Sequence, residues 1–236
     1  MKLKLLLTSC ALLLPVISYA DLTILTEDSP PFQYKNPKGE IVGMASDIVK
    51  ELMKRSGVPL KKHDLVPWQR AYAAGKDEAD TCVYSTTELP ERMPLFKWVT
   101  PIINNDWVLL VPTDSKLTAT KLEDLKGKTF GGYLGDAVAA YLKKEGYKVD
   151  EASSDELNVQ KLTSGRFDVW ATSGVVGPYL AKQKGVTNLK QLLTFKKTVM
   201  SLACNKGISD DVIKKLNDTL KSMHDDGTVD KIIKGY

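Results

Sequence analysis

The stretch "ADTCVYSTTELPERMPLFKWVTP" (residues 79–101) decides the fold. It begins as a strand rich in apolar and β-branched residues at 79–85, and it ends in a second strand that contains Trp98. Between the strands, Pro90 and Pro94 flank Arg92 on a loop that prolines prevent from being helical. The prolines also restrict this loop, so the guanidinium is partly ordered before anything binds to it. Taken alone, such an arginine is most often a surface residue on an ordinary turn.

Strand and helix signals alternate on both sides of this stretch. Strands are predicted at residues 22–26, 60–66, 79–85, 128–133, 147–152, 166–172 and 198–204, and helices at 43–57, 67–75, 135–146, 153–165, 177–185 and 209–227. Because strands separated by helices form parallel sheets, two such runs predict two α/β lobes joined near residues 101–114. Ligands of such sheets lie beyond the carboxyl ends of the strands, so the cleft between the lobes is the predicted site.

The first twenty residues have the pattern of a secretory signal peptide. A basic start, "MKLK", precedes the short apolar run "LLLTSCALLLPVI", and Ser18 and Ala20 are the small residues expected before cleavage at Asp21. A lipoprotein processing site at Cys10 is the alternative, but the apolar run continues past that residue. We therefore expect an exported mature chain of 216 residues.

Composition and charge exclude several classes of protein. Removing the signal peptide takes Lys2 and Lys4 from 33 basic residues and none from 29 acidic ones, which leaves a net charge of +2. Such a chain shows no basic footprint for nucleic acid. His63 and His224 stand alone, and the two cysteines of the mature chain have no metal-ligand spacing, so we predict no metal site and no cofactor.

Several stretches of the mature chain carry a family resemblance. They are "PPFQY", "GEIVGMASDIVKEL", "GKDEADTCVYSTTELPERMPLFKWVTP", "LEDLKGKTFGGYLGD", "LTSGRFDVWATS" and "ISDDVIKKLNDTLKSMHDDGTVDKIIKGY". In this order and spacing they resemble the periplasmic solute-binding proteins of polar amino-acid ABC transporters, the extracellular solute-binding family 3. The resemblance implies a type II periplasmic-binding-protein fold, with two lobes that are each a mostly parallel sheet flanked by helices. Lobe 1 would comprise residues 21–103 plus 199–236, and lobe 2 residues 104–198.

The resemblance also implies a function. A periplasmic monomer would bind a small solute that bears a carboxylate, such as a polar amino acid or a related organic acid. It would close on hinges near 101–106 and 196–200 and deliver the solute to a membrane permease without catalysis. Two alternatives stay open: a dehydratase-like periplasmic enzyme on the same fold, and a soluble sensor that passes its signal to a receptor.

In this family the arginine of a "T-x-x-x-x-R" loop binds the ligand carboxylate. The matching residue is Arg92, with Thr87 five positions earlier and Ser85 at the strand end as further hydrogen-bonding groups. The chemistry agrees with this role, because a guanidinium is a rigid fork that matches two carboxylate oxygens.

One departure from the family concerns the ligand's amino group. The family usually has an acid five positions after the aspartate of its "GxxDA" motif, where it binds the α-ammonium. Here the aspartate is Asp168 and the fifth position is Ser173. Glu27 at the end of the first strand is the first candidate for the missing anion, and Asp28 is the second. Otherwise the ligand lacks an amino group.

Other candidates line the predicted cleft with less support. Trp68 could stack on a ligand and Arg70 could add a second positive charge, or the two could be a core and a surface residue. Trp170 is open to the same two interpretations, and Phe32 and Tyr34 are candidates for the cleft edge. The backbone N–H groups of Gly135 and Asp136, at a helix start, could bind an anion.

The family's sheet order bears on the two cysteines of the mature chain. It places the strand that returns from lobe 2 beside the third strand of lobe 1, which would bring Cys204 close to Cys82. A disulfide is possible in an oxidising compartment. Two small buried residues without a bond are the alternative.

Overall fold

A computed structural model describes residues 21–236, so the predicted signal peptide at 1–20 lies outside the described residues. The first half contains β1 (Leu22–Thr26), β2 (Tyr34–Lys35), β3 (Ile41–Val42), α1 (Met44–Ser56), β4 (Leu60–Leu65), α2 (Trp68–Asp77), β5 (Thr81–Thr87), β6 (Lys97–Asn104) and β7 (Trp107–Pro112). The second half contains β8 (Thr129–Tyr133), α3 (Ala137–Lys144), β9 (Lys148–Ala152), α4 (Asp155–Thr163), β10 (Val169–Ser173), α5 (Val176–Gln183), β11 (Leu189–Lys196), β12 (Val199–Cys204), α6 (Asp210–Asp225) and α7 (Thr228–Ile233). Short 3₁₀ turns lie at Met93–Leu95 and Leu122–Leu125.

Two five-stranded sheets form the two lobes, as predicted. Lobe 1 is the sheet β4-β1-β5-β12-β6 with helices α1, α2, α6 and α7, and lobe 2 is the sheet β11-β7-β10-β8-β9 with α3, α4 and α5. Each sheet is mixed rather than mostly parallel. The chain enters lobe 2 along β6 and β7 and returns along β11 and β12, and these outgoing and returning strands pair antiparallel.

The last long helix shows why the predicted elements form. Ser209 accepts a hydrogen bond from the backbone N–H of Val212, which satisfies one free donor at the start of α6. Asp210 and Asp211 in the first turn complement the positive end of the helix dipole. The residues buried against lobe 1 recur at helical spacing, at Val212, Leu216, Leu220 and Met223. None of the helices within residues 21–236 is both long and apolar enough to cross a lipid bilayer.

Two strands of lobe 2, β7 and β11, were not predicted. β11 is an outer strand of its sheet, and nearly all of its residues are half-buried instead of alternating between buried and exposed. Without a period of two, the stretch "LKQLLTFK" gives no clear strand signal.

The two cysteines of the described chain are bonded to each other. β5 and β12 are antiparallel neighbours, and their register places Cys204 directly opposite Cys82. The two Cα atoms are 4.0 Å apart, and both side chains are fully buried. The bond joins positions 122 residues apart, so it ties together the two chain segments that build lobe 1 and leaves lobe 2 inside the covalent loop.

Candidate functional site

A cleft between the lobes encloses a cavity of about 520 Å³. Both sheets contribute the ends of their strands to it, as expected for open α/β sheets. Its hydrogen-bonding side chains include Glu27, Asp28, Gln33, Ser85, Thr87, Asn105, Tyr133, Asp136, Asp155, Glu156, Ser173 and Gln183. The volume suits a small molecule of amino-acid size.

The wall of this cavity is acidic. Five carboxyl groups line it, at Glu27, Asp28, Asp136, Asp155 and Glu156. Within residues 21–236, no lysine, arginine or histidine belongs to the lining. Such a wall attracts positive charge and repels a simple anion.

Glu27 follows β1 and is the predicted anion of lobe 1. Its Oε2 accepts a hydrogen bond of 2.9 Å from the hydroxyl of Tyr133, which belongs to lobe 2. Burial, with the negative charge of Asp136 as the next cause, raises the pKa of Glu27 to about 8. At neutral pH the group therefore holds its proton much of the time.

Asp155 is the first residue of α4 and was not predicted as a site residue. Its carboxylate accepts hydrogen bonds from Trp170 Nε1 at 2.9 Å, from Thr172 Oγ1 at 2.6 Å and from Asn158 Nδ2 at 2.9 Å. Burial raises the pKa of Asp155, and these donors act against that rise. The buried carboxyl is thus well supplied with donors for a negative charge.

Asp136 caps α3 and presents its side chain to the cavity. Its Oδ2 accepts from the backbone N–H of Val138 at 2.9 Å. Burial raises the pKa of Asp136, and the charge of Arg92 opposes that rise. The backbone N–H of Asp136, which we had expected to bind an anion, instead donates to the Tyr133 carbonyl oxygen at 3.1 Å, because the chain turns there.

Arg92 lies on the loop that the sequence singles out, and it is not among the residues that line the cavity. Its guanidinium packs over the rings of Trp68 and Tyr72, with its carbon 5.7 Å and 5.2 Å from their centroids. Its Nη1 donates to the Thr87 carbonyl oxygen at 3.4 Å. The side chain is half-buried, and its charge reaches Asp136 across the cleft. The two rings therefore restrict the position of the guanidinium.

Trp68 and Arg70 separate into the two roles that the sequence left open. Trp68 is buried beneath Arg92 and supports it instead of lining the cavity. Arg70 is exposed, and the cavity wall does not include it. Two positions along a helix differ by about 200° around its axis, so Trp68 and Arg70 point to opposite sides of α2.

Ser85 and Thr87 lie in the cavity wall. A bulge in β5 sets Tyr84 and Ser85 against the single residue Leu202 of β12. Ser85 takes a φ of +58° there and donates from its hydroxyl to Gln33 Oε1 at 2.6 Å. A non-glycine residue in this region of φ is uncommon, and such residues cluster at binding sites.

The remaining predicted residues occupy different places. Ser173 lines the cavity, but its Oγ accepts from the backbone N–H groups of Val175 and Val176 at the start of α5. Phe32 is buried and reaches the cavity from the core. The ring of Trp170 is fully buried, so it acts on the site through Asp155 and not by stacking on a ligand.

Gly135 and Tyr34 lie outside the cavity wall. Gly135 has a φ of +79°, and a Cβ there would come within 3.2 Å of Gln69 Nε2 from lobe 1. The glycine therefore lets the two lobes approach each other closely. Tyr34 is half-buried in the short hairpin of β2 and β3.

Asn105 is a further residue that the sequence did not single out. It lies in the link between β6 and β7, is 7% exposed and lines the cavity. Its backbone N–H and carbonyl oxygen pair with Thr198 in the returning link. None of residues 21–236 donates a hydrogen bond to its side-chain Oδ1. A buried unpaired acceptor is costly, which makes it a place where a ligand N–H group would be favourable.

No metal site was found in the part of the chain that the structure describes. Residues 21–236 hold no group of three or more histidine, cysteine, aspartate or glutamate side chains arranged to bind a metal ion.

Comparisons with known proteins agree with this fold. A family model described as "Bacterial extracellular solute-binding proteins, family 3" matches residues 22–236. The L-cystine-binding protein TcyJ of Escherichia coli (strain K12) is 26% identical over 205 residues, which cover 85% of this chain and 76% of that protein. The arginine-binding extracellular protein ArtP of Bacillus subtilis (strain 168) is 26% identical over 213 residues, covering 89% and 82%.

Two solved structures show the same two-lobed architecture. An ancestral arginine-binding protein bound to arginine is 28% identical, with a TM-score of 0.78 over 92% of this chain and 97% of that one. A histidine kinase sensor domain with similarity to periplasmic binding proteins has a TM-score of 0.83 over 92% and 96%, at 17% identity. The latter likeness concerns the fold alone.

Proposed function

Because this chain belongs to the bacterial extracellular solute-binding proteins of family 3, we propose that it is the periplasmic solute receptor of an ABC transporter. Its ligand is a small solute with a carboxylate at one end and a positive charge at the other, as in a polar amino acid with a cationic side chain. The protein delivers this solute to a membrane permease and performs no catalysis.

The observation that carries the proposal is the separation of charge across the cleft. Arg92 packs on aromatic rings outside the cavity wall. Glu27, Asp136 and Asp155 stand on the cavity wall. A ligand with both charges can place its carboxylate toward the guanidinium and its cationic group toward the acids. The unpaired Oδ1 of Asn105 adds an acceptor for a ligand N–H group.

The acids also offer an answer to the departure at Ser173. That serine hydroxyl serves the start of α5, so it cannot replace a carboxylate for an ammonium group. Asp155, at the start of α4, accepts a hydrogen bond from Thr172, the residue before that serine. We infer that Asp155 and Glu27 together take the place of the missing acid. Relatives of this chain are named for binding cystine, histidine and arginine, and these names agree with a ligand that has an amino group.

Lobe closure is the mechanism that we propose. The lobes, residues 21–103 plus 199–236 and residues 104–198, rotate on hinges near 101–106 and 196–200. The two links of the hinge are held to each other by the pairing of Asn105 with Thr198. The hydrogen bond from Tyr133 to Glu27 crosses the cleft and joins the lobes. Closure removes water from the ligand's charges and strengthens their interactions.

One observation favours a second candidate, a dehydratase-like enzyme. A general acid needs a proton near neutral pH, and Glu27 has a pKa raised to about 8. Family 3 consists of solute-binding proteins, so binding remains the stronger proposal. Recovery of the bound compound unchanged after prolonged incubation would distinguish a receptor from an enzyme. A soluble sensor is the other alternative, and a permease gene beside this one would separate transport from sensing.

A thermal-shift screen tests the proposal. The mature protein is unfolded, stripped of ligand and refolded, then screened against amino acids, dicarboxylates, opines and small sugars. A ligand at about a hundred times its dissociation constant stabilises the protein by about 2.7 kcal/mol, which moves the melting temperature visibly. We expect compounds that carry both charges to stabilise the wild type.

Two arginine variants make this screen specific. Arg92→Ala should lose affinity about a hundredfold, because a charged hydrogen-bonding partner is removed. Arg70→Ala is the matched control, because Arg70 is exposed and outside the cavity wall, and it should respond as the wild type does. Stabilisation by neutral sugars, or an unchanged response of Arg92→Ala, would contradict the proposal.

A further inference from the structure

Three of the five acids that line the cleft, Glu27, Asp136 and Asp155, differ in how much support each has for a negative charge. Asp155 accepts three hydrogen bonds from side chains. Asp136 accepts from the backbone N–H of Val138 and feels the positive charge of Arg92. In the part of the chain that the structure describes, Glu27 has one hydrogen bond, from the neutral hydroxyl of Tyr133. If one of the three carboxyls is to hold a proton, the contacts select Glu27.

The charged and titratable groups around Glu27 are nearly all acidic. Asp28 follows it on the same loop, Tyr133 faces it from the end of β8, Asp136 from the start of α3 and Asp155 from the start of α4. Two cations act on members of this set, Arg92 on Asp136 and Lys35 on Asp28, and neither is among the groups that shift the pKa of Glu27 itself. Like charges in a partly buried site cannot all ionise without a counter-charge, so the cleft holds a proton until a cation enters.

We propose that the cleft exchanges a proton for its ligand. Glu27 is protonated in the unliganded protein, and it releases that proton to solvent when the cationic group of the ligand moves against its carboxylate. This inference rests on the proposed function, because it requires a ligand with a positive charge. It adds a regulation of the same site: affinity depends on the pH outside the cell membrane, and acid conditions favour release.

The exchange has a quantitative consequence. When one proton leaves for each ligand bound, the dissociation constant depends on pH. Below the pKa of Glu27 it falls about tenfold for each unit by which the pH rises, and above that pKa it becomes constant. Burial and the neighbouring acids place this pKa at about 8. Between pH 6 and pH 7 the affinity for a permanent cation should therefore rise about tenfold.

The first arm of the test needs no ligand. Carbon-13 NMR of glutamate-labelled mature protein follows the side-chain carboxyl signals from pH 4 to pH 10, and Glu27→Gln identifies the signal of Glu27 by its loss. We expect that signal to titrate near pH 8. A midpoint near the ordinary value of 4.5 would overturn the exchange.

The second arm measures the proton directly. L-arginine and agmatine, whose guanidinium groups stay charged throughout, are titrated into the protein by calorimetry at pH 6 and pH 7. Two buffers of different ionisation enthalpy give the number of protons released per ligand. The wild type should release close to one proton, and its affinity should rise about tenfold from pH 6 to pH 7. Equal affinity at the two pH values with no proton released would overturn the exchange.

Variants separate the exchange from a general effect of charge. Glu27→Gln should bind with the same affinity at both pH values and release no proton. Glu78→Gln removes the carboxyl of an exposed glutamate outside the cavity wall, and this variant should release protons as the wild type does. If Glu27→Gln does not fold, the wild-type calorimetry still decides.

Failure of the proposed function has a different signature. Neither L-arginine nor agmatine would then bind at any pH, and the exchange would fall with it, whatever the titration of Glu27 shows. Binding without proton release removes the exchange alone and leaves the proposed function in place.

Discussion

The two lobes prepare their charges for a ligand in different ways. Lobe 2 places Asp136 and Asp155 at the starts of α3 and α4, where backbone N–H groups and side-chain donors support a carboxylate. Lobe 1 supplies Arg92, which packs on two aromatic rings, and Glu27, whose carboxyl accepts one hydrogen bond from the neutral hydroxyl of Tyr133. The difference teaches that lobe 2 surrounds its carboxyls with several donors that favour the charged form, whereas Glu27 in lobe 1 has a single donor that does so.

The lobes also differ in how they are held together. Lobe 2 is one continuous segment of chain, but lobe 1 is assembled from two segments that meet at β5 and β12. The Cys82–Cys204 bond joins these segments. The free energy of unfolding of lobe 1 should therefore depend on this covalent bond, whereas that of lobe 2 should depend on its noncovalent contacts.

The largest effect should come from removing the disulfide. The double substitution of Cys82 and Cys204 by Ala opens a covalent loop of 122 residues, and loops of this size contribute about 4 kcal/mol to the free energy of unfolding. Urea unfolding followed by fluorescence measures the loss. Wild type with the disulfide reduced should match the double variant, and an unchanged midpoint in the variant would show that packing alone joins the two segments.

A smaller loss should follow from Asp155→Ala in lobe 2. The change leaves the buried donors of Trp170 and Thr172 without an acceptor, which costs about 2 kcal/mol. Asp155→Asn is the matched control, because the amide oxygen still accepts a hydrogen bond. The same urea experiment should rank wild type above Asn and Asn above Ala. Equal stability of all three would mean that water satisfies the donors.

The charge of Glu27 should make the stability of the unliganded protein depend on pH. Because folding raises its pKa from 4.5 to about 8, the folded state binds the proton more tightly than the unfolded state. The contribution is present below pH 4.5 and is lost as pH rises through about 8. Glu27→Gln should remove part of this loss, on the order of 1–2 kcal/mol at pH 8, because solvent screens the part of the group that burial leaves accessible.

Thermal unfolding from pH 5 to pH 8.5 measures this dependence. Asp136 and Asp155 also have raised pKa values and contribute to the same trend in both proteins, so the comparison between wild type and Glu27→Gln isolates Glu27. Parallel curves for the two proteins would refute the assignment.

The smallest effect should appear in acid, in lobe 1. Burial, with the charge of Lys50 as the next cause, lowers the pKa of His63 to about 4, and its Nε2 lies 2.9 Å from the hydroxyl of Tyr84. A depressed histidine pKa gives a contribution that is present above pH 6.5 and is lost as pH falls toward 4. His63→Gln should flatten the acid side of the stability curve by about 1 kcal/mol. Identical acid midpoints would show that folding does not change the pKa of His63.

Much of the fold could be predicted because its signals are local. The alternation of strands and helices, the cap at Ser209 and the glycine-terminated helices each depend on a few neighbouring residues. β11 lacked such a signal, since its side chains do not alternate between two environments. The antiparallel pairing of β12 depends on how the chain returns from lobe 2, and no local pattern records that path.

The site was harder to predict because its residues come from distant positions. Ser85 and Thr87, at the end of β5, and Arg92, on the loop that follows, are close in sequence and could be recognised together. Asp155 begins a helix in "SSDEL", where an acid is ordinary, and its role depends on meeting Glu27 across the cleft. The sequence does carry a signal for Tyr133. This residue ends a parallel strand, at the edge of the sheet where ligands bind.

The most direct test of the central claim is calorimetric titration of the ligand-stripped mature protein with three matched compounds. L-arginine has both charges, L-citrulline has nearly the same shape without the side-chain charge, and agmatine lacks the carboxylate. We expect L-arginine to bind at least tenfold more tightly than either of the others. L-citrulline has no side-chain cation to place against the acids, and agmatine has no carboxylate to place against Arg92. Equal binding of L-arginine and L-citrulline would show that the acids do not select a side-chain cation, and equal binding of agmatine would show that Arg92 does not receive a carboxylate.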